Sequence, residues 1–141
     1  MSDRNSWSHD VNLDGEPVSA SQARAFVRFH LVQHHLANLS EDAELVVSEL
    51  ATNAMRHAQT AFTVSLHAFE QTLLLEVEDG SSVWPARVAA AHVFDTHGRG
   101  LTILDLLCRD WGMERLPSGG KSVWAEFSLP GNAGLGRRAA A

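Results

Sequence analysis

Glu49 and Asn53 stand four residues apart in the stretch VSELATNAMRHA (47–58), and Arg56 and His57 follow within the next turn. A carboxylate takes protons, a carboxamide oxygen is a hard ligand for a small dication, and a guanidinium pairs with phosphate. On a helix, side chains at i and i+4 share one face. Ala43, Val46, Val47, Leu50, Ala54 and Ala58 recur at helical spacing, so the segment predicts an amphipathic helix. Its stripe centres near Leu50 and Ala54, and Glu49 and Asn53 lie roughly 80–100° to one side of it. That boundary suits the wall of a cleft and equally suits a solvated flank. His57 lies nearer the stripe and reads as a core histidine.

A second carboxylate stands in LLLEVEDGSS. Leu73, Leu75 and Val77 share one face of a strand, and Asp79 has the same parity. Its carboxylate is therefore expected on the buried face, where it needs a donor, either a protein group or a ligand amine. A turn-capping role at Asp79–Gly80 explains the same residue. Further on, Gly98 and Gly100 bracket Arg99 just before the apolar periodicity of LTILDLL. Glycines there permit close backbone approach, and the free N–H groups of a helix start attract anions, although a plain helix-start turn gives the same pattern. SGGKS imitates the end of a P-loop. The full motif needs glycine where Arg115 stands and a helix after the serine, whereas a strand pattern follows. Gly119–Gly120 reads instead as a turn, with Ser122 at a strand start. His30, His34 and His35 have helical spacing but no third ligand in a supporting context, so they do not predict a metal site. Cys108 sits among apolar neighbours and reads as core.

These residues must be positioned by a chain of 141 residues with net charge −6, 45% hydrophobic and 20% charged. That fits one domain with one core. The acidic balance argues against a nucleic-acid binder. No apolar run reaches membrane length, no signal peptide is visible, and the single cysteine excludes an internal disulfide, which together favour the cytoplasm. Residues 1–17 read as an arm or edge strand, and SASQARAFVRFHLVQHHLA as a first helix over roughly 19–37 capped by Ser19 or Ser21. Ser40 reads as the cap of the second helix. FTVSLHAF and LLLEVED alternate with period two and predict an antiparallel hairpin. Residues 80–99 read as a long connection with a weak helix in PARVAAAHV. GLTILDLLCRDWG reads as a third helix, WGMERL and KSVWAEFSL as strands, and 131–141 as a disordered tail. The expected fold is α+β, a two-layer sandwich with three helices on one face of a mixed, mainly antiparallel sheet.

The order of these parts resembles the GHKL superfamily of ATP-binding domains. VSELATNAMRHA is similar to its N-box, VEDGSS to its first glycine box and HGRGLTIL to its second, over roughly residues 19–130. Within the superfamily the chain looks like the single-domain anti-sigma factor serine/threonine kinases of actinobacterial type. The resemblance implies a domain spanning 18–130 that takes ATP and Mg²⁺. It implies Asn53 as the Mg²⁺ ligand, Glu49 as general base, and Arg56 as a phosphate contact. Asp79 would accept a hydrogen bond from the adenine amino group. Gly98, Arg99, Gly100 and Leu101 would wrap the phosphates, and Ser122 would supply a hydroxyl near the Asp79 end. The implied partners are a STAS-type anti-sigma factor antagonist, as phosphoacceptor, and an RNA polymerase sigma factor. A homodimer through the first helix and the sheet edge is implied as well. One departure stands out: the family's Asp-x-Gly-x-Gly has Ser81 in place of its first glycine, which motivates a rival reading as a partner-binding module with weak or vestigial nucleotide binding.

Overall fold

The computed structural model describes residues 6–58, 61–80 and 99–129, with the side chains of 57, 58 and 99–102 excepted. The weak helix expected in PARVAAAHV, Ser81, Gly98 and the tail lie outside the described residues.

Five strands form one sheet: β1 (Trp7–Leu13), β2 (Phe62–Phe69), β3 (Thr72–Asp79), β4 (Asp110–Arg115) and β5 (Lys121–Ser128), in the order β1-β2-β3-β5-β4. Every neighbouring pair among the described strands is antiparallel, so the sheet expected to be mainly antiparallel is antiparallel throughout them. Within the N-terminal segment, Trp7–Leu13 is an edge strand, and residues 1–5 lie outside the described residues. The period-two pattern places Phe62, Val64, Leu66 and Ala68 opposite Asp79, Val77, Leu75 and Leu73, all on one face. Val123, Ala125 and Phe127 extend that face across β5.

Helices α1 (Val18–Gln33), α2 (Ser40–Ala58) and α3 (Arg99–Leu107) cover this face. α2 is the centre of the layer, packing on α1, α3 and β3. It buries Ala43, Val46, Val47, Leu50, Ala51 and Ala54 at 0–2% exposure, and α1 contributes Ala23, Val27 and Leu31 at one-turn intervals. Each fully buried valine or leucine contributes about 1.5–3 kcal/mol relative to an exposed one, which is why the apolar stripes, not the capping residues, hold the helices in place.

The caps differ from expectation. α1 has Pro17 at its N-cap with no side-chain bond, and Ser19, completely buried, donates its hydroxyl back to the Asp14 carbonyl. Ser40 follows a short 3₁₀ turn (Ala37–Leu39), has helical backbone angles, and bonds Glu44 rather than a free N–H. α1 stops at Gln33, four residues short of the apolar spacing. His35 takes a left-handed φ of 61°, and the Leu36 and His35 N–H groups close on the carbonyls of Leu31 and Val32. This is a Schellman ending, with histidine in the position usually filled by glycine.

Candidate functional site

Glu49 and Asn53 lie one turn apart on α2, both half-buried, where the helix borders β3 and α3. Among the described residues neither side chain makes a hydrogen bond or an ion pair. Two oxygen-bearing groups thus share one face without protein partners, a donor set suited to a hard cation and to proton transfer. Arg56, three residues after Asn53, is exposed. The side chain of His57 lies outside the described residues.

Asp79 ends β3 and faces the helices, as its parity requires; it is 6% exposed. Its buried carboxylate is met by Lys121. The Lys121 Nζ donates to both Asp79 oxygens at 2.9 Å, with both side chains 2% exposed. The pair follows from register, because Asp79 and Lys121 are directly opposed on β3 and β5. Lys121 is the chain's only lysine and was not singled out from the sequence. The signal was present: Val123, Ala125 and Phe127 define the buried parity of β5, and Lys121 shares it.

Two glycines secure this corner. Gly119 has φ +101° and completes the turn that joins β4 to β5, where its N–H bonds the Leu116 carbonyl. A Cβ on Gly120 would lie 2.2 Å from the Asp79 carbonyl oxygen and 3.0 Å from the Gly80 Cα, so only glycine lets the hairpin close on the end of β3.

Ser122 requires a correction. It is buried, but it has the opposite parity: it pairs with Glu78 on β3 and directs its hydroxyl to Glu76 at 3.5 Å. It belongs to the sheet face away from the helices and not beside the Asp79 carboxylate. There it extends a polar row across four strands, in which the Ser8 hydroxyl meets His67 Nδ1 at 2.8 Å and His67 Nε2 meets Glu76 at 3.2 Å. Arg99, Gly100 and Leu101 open α3, as the glycine pattern requires, and Gly98 lies outside the described residues. α3 is held to the core by Leu104, which is completely buried.

His30 and His34 are engaged in packing. His9 on β1 stacks on His30 and hydrogen-bonds His34, and Trp7 stacks on His34 at a centroid separation of 3.8 Å. Burial, and then the charge that a protonated His9 would bring, hold both helix histidines below the usual imidazole pKa.

Among solved structures, the RsbU and RsbW domains of Rv1364c from Mycobacterium tuberculosis match with a TM-score of 0.62 at 18% identity, over 87% of this chain and 32% of that one. The chain therefore spans about a third of that protein. The SiaB–SiaC complex from Pseudomonas aeruginosa matches with a TM-score of 0.57 at 14% identity, over 86% of this chain and 89% of that one. At these identities the likeness is one of fold. No curated protein sequence matches the chain. A family profile described as the histidine kinase-like ATPase domain matches residues 13–127, from the end of β1 to the end of β5. With the fold and the profile in agreement over all three helices and four of the five strands, the chain belongs to the histidine kinase-like ATPase family, the GHKL superfamily.

Proposed function

We propose that the chain is an ATP- and Mg²⁺-dependent protein serine/threonine kinase that acts as an anti-sigma switch, phosphorylating a STAS-type antagonist and sequestering a sigma factor. The observation that carries this is the pair Glu49 and Asn53. Both are half-buried, one helical turn apart and without protein partners among the described residues, on the helix that packs against β3 and α3.

The residues at this end fit the group. A carboxamide and a carboxylate are the hard oxygens that Mg²⁺ prefers, and the dication, when bound, neutralises phosphate charge. Asn53 would hold it. Glu49 would accept the proton of an attacking serine hydroxyl, worth about 10²–10⁴-fold in rate for a positioned base. The backbone N–H groups of Arg99, Gly100 and Leu101 at the start of α3, with Gly98 before them, would orient the phosphates. Arg56 would add a phosphate contact from α2. A homodimer through α1 and the β1 edge is part of the same reading, supported by Val18, Phe29 and Val32, which are about half exposed on α1.

A second reading has its own support. Asp79, which would read the base, is already paired with Lys121, and this favours a partner-binding module with weak nucleotide affinity. Calorimetric titration with ATP·Mg²⁺ separates the two, since absence of heat at millimolar nucleotide defeats the kinase. Where binding is seen, radiolabel transfer from ATP to a co-purified STAS partner decides activity. It should vanish in Glu49→Ala and in Asn53→Ala.

A further inference from the structure

The base end of the proposed site is built unlike the phosphate end. Glu49 and Asn53 have no hydrogen-bond or ion-pair partner among the described residues, whereas Asp79 has a cation on both oxygens, sealed from solvent. An ionised carboxylate is an acceptor only, and it reads a base by accepting a hydrogen bond from an exocyclic amine. A lysine ammonium offers the same kind of donor, placed by strand register rather than by a ligand.

We propose that Lys121 determines base specificity: its ammonium takes the donor position on Asp79 that a purine amine would occupy, so the site holds nucleoside triphosphates by their phosphates and discriminates little between 6-amino and 6-oxo purines. This rests on the nucleotide-binding reading above. An amine that displaced the ammonium would strand a cation among buried groups, which is more costly than leaving the pair intact. Withdrawal of Lys121 by a backbone shift is also opposed. Gly120, the preceding residue, is seated against the Asp79 carbonyl and the Gly80 Cα, with no room for even a methyl group. Threonine at this position would take the ammonium off the carboxylate and reopen that side of it to a ligand.

The test is calorimetric titration of the full chain and of Lys121→Thr with ATP·Mg²⁺, inosine triphosphate·Mg²⁺ and tripolyphosphate·Mg²⁺, with circular dichroism to confirm folding. The wild-type chain should bind the two nucleotides within about threefold of each other, and Lys121→Thr should favour ATP by about tenfold or more, as expected when a buried hydrogen-bonding group is given back its partner. Wild-type preference for ATP of about tenfold or more overturns the proposal, as does a folded Lys121→Thr with an unchanged ratio. Should the variant fail to fold, the wild-type ratio alone decides. If the wild-type chain binds none of the three ligands, the nucleotide site itself is refuted and the role of Lys121 falls with it; binding with the wrong ratio refutes only Lys121.

Discussion

His9 Nε2 and His34 Nε2 lie 3.0 Å apart, tying the edge strand to the C-cap of the first helix. Such a bond needs one donor and one acceptor, so it cannot survive protonation of both rings. His30, stacked on His9, and Trp7, stacked on His34, complete the contact. His30 and His34 have pKa values lowered from 6.5, first by burial and then by their histidine neighbours, His9 for both, with His34 and His35 contributing to His30 and His34 respectively. The unfolded chain therefore binds protons before the folded one does as pH falls. The stability contributed is complete above about 6.5 and is lost as pH drops below it, through the folded pKa values. Urea midpoints should fall between pH 7.5 and 5.5, and His34→Gln should flatten that slope.

Alanine at Glu49 or Asn53 should leave folding nearly unchanged, within roughly 0.5 kcal/mol, because neither side chain is bonded to another described residue. Thermal unfolding without nucleotide checks this. A loss well above that value would mean the two residues hold the fold together rather than serve a ligand.

Gly120→Ala should destabilise the domain by about 1–3 kcal/mol, the usual cost of forcing a methyl into filled space. The obstruction is backbone, the Asp79 carbonyl oxygen, and cannot rotate away. The β5 hairpin must shift, and the Asp79–Lys121 pair with it. Denaturant unfolding measures the cost, and amide exchange along Lys121–Val123 should rise.

Cys108 should resist thiol reagents at neutral pH in the folded chain and react promptly in urea. Burial, then Asp105, Asp110 and Glu126, push its thiol pKa up to about 11, and the thiol donates to the Leu104 carbonyl at 2.9 Å. The thiolate is the reactive form, so labelling in the folded state should track opening of the end of α3.

Much of the fold was legible because its elements obey local periodicity. β2 and β3 read directly from alternation, and the same parity placed Asp79 on the buried face. Ala43, Val46, Val47, Leu50 and Ala54 of the expected α2 stripe are buried, Ala51 joins them unforeseen, the Ala58 side chain lies outside the described residues, and Glu49 and Asn53 fall half-buried on the flank. What was missed is partly local: the bonds of Ser19 to the Asp14 carbonyl and of Ser40 to Glu44, and the early stop of α1 at a left-handed His35, are short-range alternatives that residue type leaves open.

The contrast is sharpest at Lys121 and Ser122. By itself the sequence set the carboxylate at position 79 on the buried parity of its strand, where it needs a donor, with a turn-capping role as the alternative, since strand parity and the cost of a lone buried charge are local matters. It left open whether a protein group or a ligand supplies that donor. Only the pairing of β3 with β5 decided it, by setting Lys121 opposite Asp79 and turning Ser122 to the far face. A one-residue shift in that register would exchange the two, because side chains on neighbouring positions of a strand point to opposite sides.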